Sequence, residues 1–181
     1  MWVTLGAGAP MGSDDLVGLL EACHARIRRF SDLARTLGAR GDLPEADVVA
    51  AADAVIRYFT EALPLHVADE EQSVLPRLLR WAPSLEPVLR QMEAQHASHE
   101  PQLRALLSSL AHLKLAPLDP ERRAQVARDA EQVSSGYAEH LALEETMLFP
   151  ALRGSVPLAE QDRMREELRA RRAPSPSTPR R

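Results

Sequence analysis

The pattern His-x-x-x-Glu-Glu-x-x-x-(Leu or Phe)-Pro-x-Leu is written twice in this chain, in strict register. The first copy is His66, Glu70, Glu71, Leu75, Pro76 and Leu78; the second is His140, Glu144, Glu145, Phe149, Pro150 and Leu152, each 74 residues further on. A shorter echo precedes each copy, Glu21-Ala22-Cys23-His24 and Glu93-Ala94-Gln95-His96, offset by 72. The order His, then His-x-x-x-Glu, therefore occurs twice. Two helical hairpins related by an approximate two-fold would bring four imidazoles and two carboxylates together at their centre.

Helical periodicity dominates, and no stretch alternates with period two for long enough to suggest a sheet. Ser13-Asp14-Asp15 offers a capping oxygen and the acidic residues favoured at a helix start. From there Leu16, Leu20, Cys23, Ile27, Phe30, Ala34 and Leu37 share one face with His24, up to the stop signals Gly38 and Gly41. A second helix begins near Pro44, with Val48, Ala52, Val55, Ile56 and Phe59 inward; Pro64 should kink it and Pro76 end or bend it. A third is expected from about Ser84 to Lys114, with Pro101 as an interior kink. A fourth starts at Asp119-Pro120 and is stopped by Pro150.

The expected architecture is thus all-α, an up-down-up-down four-helix bundle over 13–155. Residues 1–12 read as a flexible N-terminus. A short charged helix should cover 156–172, with Leu158, Met164 and Leu168 as a thin apolar stripe. The Pro- and Arg-rich tail, 173–181, has no means of burying itself and should be disordered.

Bulk properties exclude several classes. The chain has 181 residues, 45% of them hydrophobic, which suits one domain with a substantial core. No apolar run approaches the roughly 20 residues that span a bilayer, and the N-terminus does not read as a secretory signal. Net charge is −4 and the 22 basic residues are dispersed, so nucleic-acid binding has no compositional support. A single cysteine excludes an intrachain disulfide and fits a reducing compartment; a cytoplasmic location is the expectation.

Positions i and i+4 differ by only about 40° around a helix, so His66 with Glu70, and His140 with Glu144, point the same way. Imidazole with carboxylate and no thiolate suits iron, manganese or zinc rather than a closed structural zinc site. Each carboxylate can bridge two cations, leaving a metal position open for a small ligand. An isolated His-x-x-x-Glu is equally a surface ion pair. Four His and two Glu on inward faces of four helices are different, because unpartnered burial costs about 1–3 kcal/mol for each group. His112 has no echo and reads as a core histidine. Cys23 reads as packed, or as a redox-active thiol. Tyr137 is either core or a donor to a bound ligand. Glu71 and Glu145, about 100° from the bridging positions, should pair with Arg in solvent. Trp81 should cover one end of the bundle.

From Asp14 to Leu152 the arrangement resembles the hemerythrin-like, or HHE cation-binding, family of four-helix bundles with a non-haem di-iron centre. The resemblance implies two iron ions, with His24 and His66 terminal to one, His96 and His140 to the other, and Glu70 and Glu144 bridging. Oxygen-carrying members have a further His one turn after the third-helix His; this chain has Glu100 there, with His99 beside it as the alternative. A third carboxylate would favour the ferric state and argue against reversible oxygen carriage. Two classes of function remain open. One is a protein that responds to dioxygen, peroxide or nitric oxide in a redox, sensing or iron-handling role. The other is an oxidase or peroxidase.

Overall fold

The computed structural model describes residues 15–173; the expectations for 1–12, for Ser13-Asp14 and for all of the tail beyond Ala173 lie outside them. Among the described residues every element is helical. Helix α1 is Leu16–Ala39. Helices α2 (Glu45–Arg57), α3 (Leu63–Asp69) and α4 (Leu75–Trp81) are joined end to end by π turns at Tyr58–Ala62 and Glu70–Val74. Helix α5 is Glu86–Leu115. Helices α6 (Pro120–Leu143) and α7 (Phe149–Ser155) are joined by a third π turn, Glu144–Leu148, and α8 is Leu158–Arg172. Packing runs in a ring, α1 on α2, α2 on α5, α5 on α6 and α6 on α1, which makes a helical bundle.

Local chemistry sets most ends. Asp15 caps α1 by accepting from the Gly18 amide at 2.7 Å, and Asp119 caps α6 by accepting from the Glu121 and Arg122 amides. Two expectations about breakers need correcting. Gly38 does not stop α1, which runs on to Ala39; a Cβ there would lie 2.5 Å from the Ala127 backbone, so glycine permits close approach of α1 to α6. Pro150 does not stop its helix either, and at Pro76, expected to end or bend the second helix, the rod continues beyond a π turn. Each stands second in its helical segment, as does Pro64, and a π turn precedes all three. A proline ring collides with the carbonyl four residues back; the wider π turn moves that carbonyl aside. Pro101 lies inside α5 without interrupting it.

The apolar core is two clusters with a polar layer between them. One contains Ile27, Leu63, Leu106, Val133 and Leu141; the other contains Leu20, Val74, Met92, Leu148 and Met164. His24 lies between Leu20 and Ile27 on α1, and His66 and Glu70 between Leu63 and Val74. His96 lies between Met92 and Leu106, and Glu144 between Leu141 and Leu148. Each rod thus crosses the same level of the bundle with its chemistry-bearing residues. Met164 and Leu168 of α8 are buried as expected, but Leu158 is exposed, as is His112, while Trp81 is only partly covered beneath the Arg80 guanidinium. The apolar stripe of α8 is narrower than its sequence suggests because its first turn lies beyond the contact.

Candidate metal centre

The polar layer brings together all four imidazoles and both carboxylates of the doubled motif. His24, His66, Glu70 and Glu144 form one group, and Glu70, His96, His140 and Glu144 the other, each with its ligand atoms within 4.8 Å of one another. The two carboxylates belong to both groups. Glu70 turns Oε1 to His66 Nε2 at 2.9 Å and Oε2 to His96 Nε2 at 3.1 Å. Glu144 turns Oε2 to His24 Nε2 at 2.8 Å and Oε1 to His140 Nε2 at 2.6 Å. Each carboxylate therefore presents one oxygen to each group.

Hydrogen bonding does not satisfy this arrangement. Both ring nitrogens of His66, both oxygens of Glu70 and Oε1 of Glu144 are sealed from solvent without a hydrogen bond of suitable angle. Orphaned polar atoms cost about 1–3 kcal/mol each. Neighbouring ligands around an ion with bonds near 2.1 Å sit about 3 Å apart, close to the spacing seen here. Two cations would take up Nε2 of His66, both oxygens of Glu70 and Oε1 of Glu144, leaving only the outer Nδ1 of His66 among these orphans, so the residues fit the metal their types suggest.

The outer nitrogens explain the orientation of the rings. His24 Nδ1 meets Glu145 Oε1 at 2.8 Å, His96 Nδ1 meets Glu71 Oε1 at 3.0 Å, and His140 Nδ1 meets Gln95 Oε1 at 2.9 Å. An acceptor at Nδ1 keeps the proton there and leaves the Nε2 lone pair facing the carboxylates. Glu145 also holds Arg28, as expected, but Glu71 pairs with an imidazole rather than an arginine. The missed signal was repetition: Glu71 and Glu145 recur in register, as solvated residues have no reason to do.

Glu100 falls outside both groups. Its side chain is 67% exposed and paired with Arg104. His99 is buried instead, its ring perpendicular to that of His140 at 5.4 Å and tilted against Tyr137 at 4.8 Å. The residues facing inward along α5, Leu89, Met92, His96, His99, Leu103, Leu106, Leu110 and Leu113, alternate steps of three and four. His99 lies on that seam and Glu100 on its flank. Nδ1 of His99 makes no hydrogen bond, and Gly136 leaves room for the ring.

Charge in the layer follows from these contacts. Burial works against an imidazolium at His66, yet Glu70, the neighbouring Cys23 and Glu144 hold its pKa well above the ordinary value. Burial likewise opposes ionisation of Glu70, and His66 and His96 overcome it, so its pKa lies well below the usual range. His96 is raised, against burial, by Glu70 and Glu71. The carboxylates demand positive charge, and protons and metal ions compete to supply it. Burial, then His140 and His96, push His99 down to about 4, so it is neutral at physiological pH. Buried Cys23 is brought to about 7; burial acts upward, while His66 and Arg26 outweigh it.

Residues 15–152 match the hemerythrin HHE cation binding domain, and the chain belongs to that family. It is also 30% identical over 137 residues to an uncharacterized protein of Haemophilus influenzae, an alignment covering 72% of this chain and 75% of that one. Among the described residues no helix is long and apolar enough to cross a membrane.

Proposed function

We propose that the protein is a non-haem dinuclear iron protein of the hemerythrin type, with a redox, sensing or iron-handling role toward dioxygen or peroxide. The observation that carries this reading is the division of each carboxylate, one oxygen to each pair of imidazoles. His24 and His66 would hold one ion, His96 and His140 the other, with Glu70 and Glu144 between them. Iron bound there would supply electrons and a Lewis-acidic position for a small ligand such as dioxygen, peroxide or nitric oxide. Manganese and zinc suit the same donors, so the number of ions follows more directly from the site than their identity.

The protein's own contribution is preorganisation. Glu145, Glu71 and Gln95 fix three imidazoles in the tautomer that presents Nε2 inward, and the apolar clusters above and below exclude water. Two divalent ions against two carboxylates leave a positive centre that favours anionic or reducible ligands. Exposure of Glu100 removes the third carboxylate that would have favoured the ferric state. Reversible oxygen binding therefore stands as a second reading beside oxidase or peroxidase chemistry.

Metal analysis after anaerobic loading with ferrous iron is expected to give two ions per chain, and fewer for Glu70→Ala or Glu144→Ala. One ion or none in the unsubstituted chain would overturn the proposal. Mixing the diferrous protein with oxygen separates its branches: a stable reversible adduct marks binding, and turnover with reductant or peroxide marks catalysis.

A further inference from the structure

The family match ends at residue 152, yet α8, beyond it, reaches back to the metal centre. Helix α8 packs on α1, on α3 and on the π turn Glu70–Val74. Its last turn supplies two guanidinium groups to one fully buried carboxylate: Asp69 Oδ1 accepts from Arg171 at 2.8 Å and Oδ2 from Arg172 at 2.5 Å. Four residues on, Ser73 accepts from Arg171 at 2.7 Å and donates to Glu167 at 2.5 Å. Glu167 in turn holds Arg77. Asp69 and Ser73 bracket Glu70 in the chain, so these bonds grip the turn that carries a shared carboxylate. Arg172 also stands 3.9 Å from Cys23 Sγ, beside His24. The His24 and His66 side of the centre is thus covered and tied down.

The opposite side is open. A cleft of about 400 Å³ runs between the α2–α4 rod and α5 and is lined by Leu63, Val67, His96, Ala97 and Tyr137. Glu71, Glu93 and Glu100 also line it, a charge pattern that attracts cations.

We propose that α8 makes the two metal positions unequal, clamping the His24/His66 position through Asp69 and leaving divalent cations to enter and leave by the cleft at His96. The inference rests on the dinuclear reading above. The clamp acts first on the end of α3, where Asp69 stands one turn after His66, a ligand of the covered position alone. The turn beyond it also carries Glu70, which faces both positions, and Glu71, which meets His96, so releasing Asp69 should loosen the covered position more than the one at the cleft.

The test uses the full chain loaded with cobalt(II), whose visible absorption counts bound ions, followed by challenge with excess EDTA. Failure to bind two ions would sink the dinuclear reading itself. With two ions bound, release should be biphasic, and His96→Ala should lose the fast phase. Arg171→Ala with Arg172→Ala should accelerate the slow phase about tenfold or more, the effect typical of losing outer support for a ligand. The fast phase should change several-fold less than the slow one, and the double Lys variant should recover part of the loss. Ala97→Leu, which narrows the cleft, should slow the fast phase alone. Should the double Ala variant fail to fold, Arg171→Ala singly gives the same reading. Monophasic release, loss of the slow phase in His96→Ala, or acceleration of both phases by the same factor in the arginine variants would overturn the clamp, the last by marking α8 as a general brace.

Discussion

Glu145 stands between His24 and Arg28, and Glu71 against His96, so each carboxylate spends its charge on holding an imidazole in place. Removing either should let the ring turn and its tautomer change. Glu71→Ala and Glu145→Ala are each expected to weaken metal binding by about 10–100-fold. Glu→Gln at either position should cost less, since the amide oxygen still accepts from Nδ1. Competition with a chromophoric chelator measures both, and unchanged affinity in the Ala variants would show that the outer contacts are incidental. Glu100→Ala, by contrast, removes an exposed partner of Arg104 and should leave the stoichiometry as it was. Loss of an ion there would mean that Glu100 turns inward when metal binds.

Among the elements, α1 and α6 make the most extensive contact, and Gly38 marks a point where they approach closely. A methyl group added there meets Ala127 Cα and N at 2.5 Å, which is backbone and cannot move aside. Gly38→Ala should therefore destabilise by about 1–3 kcal/mol, the ordinary cost of overpacking. For a chain of this size that lowers the melting temperature by about 2–4 °C per kcal/mol. Gly154 lies in α7 with nothing within 4 Å of an added Cβ, so Gly154→Ala should be neutral or slightly stabilising through helix propensity. Thermal unfolding of the two metal-free variants compares them directly; equal shifts would mean that α1 and α6 can separate without cost. The π turns belong to the same scale. They let proline follow Glu70 and Glu144 within a turn and a half while the rods continue to Trp81 and Ser155.

For the molecule as a whole, the buried layer links stability to pH. The pKa of His66 is raised, so the stability its protonation contributes is complete below about pH 6.5 and is lost as pH rises through the folded value. That of Glu70 is lowered, so its contribution is complete above about pH 4.5 and is lost as pH falls through the folded value. The metal-free chain should be most stable between those limits and weaken on the alkaline side as His66 deprotonates. Metal binding displaces protons, so the stabilisation it brings should grow over the same rise in pH. Thermal unfolding across pH, with metal and with chelator, tests both halves. A metal-free chain that became steadily more stable above about pH 6.5 would contradict the first.

Helical class and the six inward His and Glu residues were legible in the sequence because both depend on short-range periodicity. An i, i+4 pair shares a face wherever its helix lies, and a motif repeated in register marks related elements. Between Glu100 and His99 the spacing from His96 separated the two only weakly and position within the motif pointed to Glu100; that His99 is buried and Glu100 exposed came from how α5 packs. Other features depended on which residue of a distant element happened to face the side chain. The roles of Glu71, Glu145 and Gln95 required knowing what stood at each Nδ1. Gly38 read as a stop until Ala127 was found against it. Asp69 looked like one acid among many, and only the docking of α8 placed two arginines on it. Such contacts join residues between 25 and 121 positions apart on different elements, and no local spacing encodes them.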